Sequence, residues 1–263
     1  MFFSLFPRHC SGRIKYSSKR NQATVSLGKE KEKGTHKGVD RLEKFSRIVS
    51  KNYTVSCWAI KLDIKKFFAS MDHFVIKELL RKKVKDENIL WLLKEVIDSF
   101  PKGIPLGNLT SQVFANIYMN ELDQYMKHIL KTKYYIRYAD DFVILSYHKN
   151  YDPLVYHNKL VTQVRLFLND YLKLELHPKK VILKKLDWGI DFLGYIILPR
   201  YRLPRTKTKR RILQRLNKKI GSENFNEVFQ SYLGYLSHAN SFRLTQDLKK
   251  MFGFVLRHDK IVI

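Results

Sequence analysis

Apolar residues first fall into register at Val39, Leu42, Phe45 and Val49, which are spaced as one face of a helix with Thr35 placed as its N-cap. The next run, YTVSCWAIKLDI (53–64), reads as a buried strand that ends at Asp63. Asp72 is placed to cap a helix reaching Val84, with Phe74, Leu79 and Leu80 among its apolar positions. Asp86-Glu87 opens another helix, ILWLLKEVI, that stops before Pro101. Gly and Pro make KGIPLGNLTS (102–111) a loop, and Ser111 can cap a long helix with a stripe through Val113, Ile117, Leu122, Tyr125 and Ile129. In KYYIRYADDFVILS (133–146), two β-rich runs flank a short polar tip, which is a hairpin pattern. A helix at about 153–171 follows, then the strand-like runs LKLEL, KVILKKL and IDFLGYIIL, and from Arg205 a basic helical tail. Strands with interposed helices and an all-helical end predict an α+β core with an appended helical module.

Composition narrows the class. The 263 residues are 44% hydrophobic, with only 11 Gly and 7 Pro, enough for a packed core and too few for a linker-rich chain. The longest apolar runs are strand-sized, short of the roughly 18 residues of a spanning helix, so no membrane partner is expected. The start, MFFSLFPRHC, lacks a basic segment before its apolar patch and makes a poor signal peptide. Cys10 and Cys57 provide neither a disulfide framework nor a zinc site, which favours a cytoplasmic protein. The formal net charge of +26 points to a polyanion, and nucleic acid is the best fit. The alternative is a lysine-rich solvated surface.

Three carboxylates sit where apolar strands end: Asp63 after WAIKL, and Asp140 and Asp141 at the hairpin tip. A carboxylate beside a strand is costly unless it is paired or bound to a cation. Oxygen ligands with spare waters suit Mg²⁺, and two such ions can clamp the attacking and leaving oxygens of phosphoryl transfer. Each motif also has a plain structural reading, Asp-Asp as a turn dipeptide and Asp63 as a helix cap.

Tyr138-Ala139-Asp140-Asp141 resembles the YxDD motif of reverse transcriptases. KLDIKKFFASMDH (61–73) resembles their first catalytic motif, and GIPLGNLTSQVFANIYMNELDQY (103–125) their nucleotide-pocket loop and helix. LKLELHPKKVIL (172–183) and DFLGY (191–195) resemble the next two motifs, including the primer-grip hairpin. The resemblance covers about residues 28–245. It implies a right-hand polymerase fold, an antiparallel palm sheet with helices on one face. Residues 1–52 would be a basic segment with partial fingers. Residues 53–203 would form the palm, with a helical insert at about 73–104, and residues 204–263 a basic helical thumb.

The resemblance implies RNA-directed DNA synthesis, with template RNA, a primer/cDNA duplex and dNTPs as partners. Asp63, Asp140 and Asp141 would be catalytic and, with the Ile64 carbonyl, would ligate two Mg²⁺ ions, Mn²⁺ being a substitute. Phe68 would lie beneath the nucleotide sugar and reject a 2′-OH by contact, the alternative being a core aromatic. Leu106, Gly107, Ser111 and Gln112 would line the nucleotide pocket, and Lys179 or Lys180 would face the pyrophosphate. Ser111 and Gln112 have capping as their alternative, and the lysines a solvated turn. Phe192, Gly194, Lys207, Lys209, Arg210, Arg211, Arg215 and Lys218 would contact nucleic acid. RTKTKRRILQRLNKKI (205–220) carries eight basic residues in sixteen, with Ile212, Leu216 and Ile220 on one apolar face.

Most bacterial relatives open the pocket motif with Gln-Gly and close it with Ser-Pro, whereas here Leu106-Gly107 and Ser111-Gln112 stand there. That departure resembles diversity-generating retroelements, whose enzymes make error-rich cDNA with a small basic accessory protein. Stand-alone or defence-associated bacterial reverse transcriptases are the alternative. The upstream fingers motifs have no counterpart in residues 1–27, which leaves a truncated, inactive RNA-binding remnant as a further one.

Overall fold

The computed structural model describes residues 34–105, 107, 109–148 and 152–258. The hairpin and its neighbours form the centre. Strands β1 (Trp58–Asp63), β2 (Tyr135–Tyr138), β3 (Asp141–Ser146) and β4 (Ile182–Lys185) make an antiparallel sheet in the order β2-β3-β1-β4. Period-2 alternation divides their side chains between two cores. Ile60, Leu62, Tyr135, Phe142 and Ile144 face one layer; Ala59, Ile136, Val143 and Leu145 face the other.

The first layer is helical. Helices α3 (His73–Lys83), α4 (Glu87–Asp98), α5 (Leu109–Gln124) and α6 (Pro153–Leu172) contribute Ile76, Leu79, Leu90, Ile97, Phe114, Tyr118, Leu122, Val164 and Leu168 to it. Side-chain caps start three of these helices, Asp72 and Asp86 where the sequence places them and Asp152 in addition. Asp72 accepts from the Val75 amide, Asp86 from Asn88 and Ile89, and Asp152 from Leu154. The opposite face is covered by α1 (Thr35–Val49) and by a second sheet of β5 (Ile190–Phe192), β6 (Tyr195–Leu198) and β7 (Tyr201–Pro204). The helices α7 (Thr206–Lys219), α8 (Phe225–Ser237) and α9 (Phe242–His258) pack on Ile212, Leu216, Phe225, Phe229, Leu236 and Leu248 as a third core. The short α2 (Phe67–Ser70) follows β1.

Several local expectations differ. Gly34, not Thr35, is the N-cap of α1, although Val39, Leu42, Phe45 and Val49 are all buried as expected. Helix α5 begins at Leu109, so Ser111 lies inside it instead of capping it. Its buried face is Ser111, Phe114, Ala115, Tyr118, Met119, Leu122 and Asp123, leaving Val113 and Ile129 exposed. A π-helical turn at Tyr125–Ile129 rotates the chain past α5, so a single 3.6-residue stripe could not describe both segments. Phe74 is exposed, and Ile76 takes the core position in α3. LKLEL forms no strand: it contributes one isolated bridge, Ile64 to Leu176, flanked by the hydrogen bonds Lys65 amide to Glu175 carbonyl and His177 amide to Asp63 carbonyl just past the end of β1. Ile220 is exposed as the C-cap of α7, one residue past the helix end and one turn beyond the buried Leu216.

Candidate active site

Two strand ends and one turn make the site. Asp63 is the last residue of β1 and Asp141 the first of β3, and the antiparallel register sets them directly opposite. Ala139 and Asp140 form the two-residue hairpin loop between the paired residues Tyr138 and Asp141. Ala139 has a φ of 53°, the positive value required by the tight turns that join twisted strands. The sheet's geometry thus brings Asp63, Asp140 and Asp141 to one edge.

Like charges facing each other across a ladder repel. Two lysines offset this. Lys180 donates to both oxygens of Asp63, each at 3.0 Å. Lys61, on the same face of β1 two residues before Asp63, makes a 2.9 Å ion pair with Asp141 and a 2.7 Å hydrogen bond to the Asp191 carbonyl in β5. The compensation is incomplete. Burial pushes the Asp141 carboxyl up to about 6, against the pull of Lys61, with Asp63 and Asp140 adding to the rise. Burial also raises the pKa of Asp140, and Asp63 adds to the rise while Lys180 and Arg137 oppose it.

Among the described residues, no three or more His, Cys, Asp or Glu side chains form a metal-holding group, and the carboxylates of Asp63 and Asp141 are paired with Lys180 and Lys61. The donor set nonetheless fits a divalent cation. Asp141 Oδ1 is buried with no hydrogen-bond partner, and burial, with the neighbouring carboxylates adding to it, raises the pKa values of Asp140 and Asp141, a penalty on their charge that a bound cation would offset. Asp63, Asp140 and Asp141 are the residues that would hold it. Ile64 is buried at the bridge to Leu176.

The turn at 177–180 is fastened to this edge by the His177 amide, which donates to the Asp63 carbonyl at 2.8 Å. It sends Lys180 onto Asp63, while the Lys179 amide bonds the His177 ring. Of the turn's two lysines, Lys180 is therefore the one at the acidic site, where it joins Lys61. Lys61 was not among the expected site residues. Strand periodicity carried the signal, since residues 61 and 63 share a face.

Phe67 and Phe68 divide two roles. Phe67 is buried, whereas Phe68 is partly exposed and packs edge-on against it at 5.1 Å. The loop before α5 is clipped to this pair. The Ile104 amide donates to the Phe68 carbonyl at 2.8 Å, and the His73 ring bonds the Gly103 carbonyl at 2.8 Å. Further along, Gly107 has a φ of 105° and nothing within 4 Å of a built Cβ, so its backbone faces open space. Leu106 lies outside the described residues. Ser111 is buried, its hydroxyl without a hydrogen-bond partner, and Gln112 is half-buried.

Phe192 and Gly194 do not present the surface expected of them. Phe192 is wholly buried in the core beneath α1, where alternation along β5 points it inward. The Gly194 carbonyl accepts from the Tyr235 hydroxyl at 3.0 Å and the Arg205 amide at 2.9 Å, which makes it a joint to the C-terminal helices. On α7, Lys207, Arg210, Arg211, Arg215 and Lys218 are exposed and Lys209 is half-buried, opposite the buried Thr208, Ile212 and Leu216.

An antiparallel palm with acidic residues at the ends of β1 and the hairpin, followed by three packed helices, is the α+β architecture of a right-hand polymerase fold. Residues 8–197 match the family described as reverse transcriptase (RNA-dependent DNA polymerase), and the chain belongs to that family. The match reaches back into residues 8–27, where the motifs alone had no counterpart; those residues lie outside the described ones. Similar proteins include Escherichia coli protein YkfC, 23% identical over 66% of this chain and 55% of its own. The group II intron-encoded protein LtrA of Lactococcus lactis is 22% identical over 57% of this chain and 36% of its own. The putative COX1/OXI3 intron 2 protein of Saccharomyces cerevisiae is 22% identical over 56% and 25%. The chain thus spans from a quarter to about half the length of these relatives. In fold it is similar to apo telomerase from Candida tropicalis, with a TM-score of 0.56 at 14% identity over 80% of this chain and 40% of that one. Telomerase of the same species in complex with a telomeric RNA fragment gives 0.54 at 13% identity, over 93% and 45%. No helix among the described residues is long and apolar enough to cross a membrane.

Proposed function

We propose that this chain is an RNA-directed DNA polymerase that extends a primer on an RNA template. The observation that carries the reading is the pairing of Asp63 with Asp141 across β1 and β3, with Asp140 on the adjoining turn. Family membership supports it. Bound at these carboxylates, two Mg²⁺ ions, or Mn²⁺ in their place, would supply charge to the attacking and leaving oxygens of nucleotidyl transfer. The chain's own residues do the rest. Lys180, beside Asp63, is placed to neutralise departing pyrophosphate. Phe68 closes the space beneath the sugar and discriminates by contact against a 2′-OH. Gly107 offers exposed backbone to the incoming nucleotide. The exposed cations of α7 follow the phosphates of the template–primer duplex.

Asp140→Asn keeps the size of the side chain and removes its charge. In a primed-RNA extension assay with Mg²⁺ it is expected to abolish dNTP incorporation while the melting temperature holds. Incorporation near the parent rate would refute the assignment.

The biological setting has two readings. Leu106-Gly107 in place of Gln-Gly supports an error-prone enzyme of a diversity-generating retroelement, working with a small basic accessory protein. The intron-encoded names of two relatives favour an intron-type retroelement instead. A leucine cannot donate the hydrogen bonds of a glutamine, each contributing on the order of 0.5–1.5 kcal/mol. One lost bond relaxes nucleotide selection by up to roughly tenfold. Sequenced cDNA from one defined RNA is expected to show fewer errors, chiefly opposite adenine, for Leu106→Gln than for the parent. An accurate parent, or an unchanged spectrum, would favour the second setting.

A further inference from the structure

Arg137 is wholly buried and heads the large buried side chains of the described residues. A guanidinium in that position costs several kcal/mol unless its donors are met. Here Nε donates to Asp123 Oδ1 at 2.8 Å and Nη2 to Asp123 Oδ2 at 2.6 Å, a bidentate pair joined by the Tyr135 hydroxyl, which donates to Oδ1 at 2.8 Å. Nη1 reaches the other way and donates to the Ala139 carbonyl at 3.0 Å. Ala139 is the residue of positive φ in the hairpin loop, a conformation unfavourable for a non-glycine residue. Asp123 belongs to the last turn of α5, the helix that begins two residues after Gly107.

We propose that Arg137 and Asp123 form a strut that holds the strained Ala139–Asp140 turn and fixes Asp140 relative to α5 and the Gly107 loop. Two apolar side chains of the same volume would join β2 to α5 as well as the ion pair does, or better. They would leave the Ala139 carbonyl without its donor, so the polar pair acts on the turn and not merely on packing. Arg137 is a positioning residue: it touches no substrate. Its effect on turnover rests on the polymerase reading, whereas its effect on the turn does not.

The test uses the full chain with Arg137→Met/Asp123→Leu, which removes both buried charges together, and with Arg137→Lys, which keeps the charge but cannot span Asp123 and the Ala139 carbonyl. Amide hydrogen exchange reads the turn directly. Residues 138–142 of the double variant are expected to exchange at least tenfold faster than the parent, with residues 58–62 unchanged. On primed RNA, kcat is expected to fall tenfold or more with KM for dNTP within about twofold, and Arg137→Lys to fall between. Unchanged exchange at 138–142 overturns the strut. Faster exchange with parental kcat overturns its role in placing Asp140. If the double variant does not fold, Arg137→Lys decides by the same two readouts. A parent that incorporates no dNTP counts against the polymerase reading instead, and the exchange comparison still decides the strut.

Discussion

Gly103→Ala tests how the loop before α5 supports Phe68. Gly103 is buried with a φ of 60°, and a Cβ built on it would lie 2.4 Å from the Phe68 carbonyl oxygen and 2.7 Å from Ala69 Cα. These are backbone atoms, so no side chain can swing aside. The left-handed conformation costs an alanine about 1–2 kcal/mol, and forcing a methyl into packed surroundings adds about 1–3 kcal/mol. A gain of about 0.4–1 kcal/mol from the stiffer unfolded chain offsets part of this. The net loss is about 1–5 kcal/mol, which at this chain length lowers Tm by roughly 2–20 °C. The loop must also withdraw from α2, which breaks the hydrogen bond from the Ile104 amide to the Phe68 carbonyl and loosens the ring. Gly107→Ala is the internal comparison, since its Cβ meets nothing within 4 Å and only the backbone cost remains. Thermal unfolding of both variants and the parent, with dNTP and NTP incorporation measured side by side, reads both consequences. A Gly103→Ala protein that melts within about 2 °C of the parent, or no lower than Gly107→Ala, would refute the close approach. Stability lost without any change in dNTP/NTP discrimination would separate the loop from Phe68.

Two further outcomes are expected. Phe68→Ala should admit NTPs while dNTP use persists; equal discrimination in variant and parent would return Phe68 to the core alongside Phe67. Replacing Arg210, Arg211, Arg215 and Lys218 with Gln should weaken binding to all duplexes alike and flatten the salt dependence by up to about 0.9 in log–log slope per lost phosphate contact, and a loss confined to particular sequences would mean that α7 reads bases.

The chain's own pattern was enough to locate most elements. Asp72 and Asp86 cap α3 and α4 through side-chain contacts confined to three residues, and such short-range chemistry is legible without a fold. The hairpin was equally local, since two apolar β-rich runs around a short polar tip have few alternatives, but its loop is Ala139-Asp140 where the sequence suggested Asp140-Asp141, because strand pairing reaches back to Asp141. Their place at the ends of apolar runs singled out the candidate carboxylates, and the family motifs gave them roles, but a separation of more than seventy residues between Asp63 and Asp140 says nothing of their distance in space.

Tertiary structure decided what depends on register and on the far partner. The pairing of β1 with β3 set Asp63 against Asp141, and that choice alone brought Lys61 onto Asp141. The fold of the 177–180 turn selected Lys180 over Lys179, a distinction that two adjacent lysines cannot carry in sequence. It also turned Phe192 inward, made Gly194 a joint, and split Phe67 from Phe68, because burial is a property of what packs on a residue and not of the residue itself. The Arg137–Asp123 pair lay unseen for the same reason. Fourteen positions apart, on a strand and a helix, the two charges read as surface until the sheet closes over them.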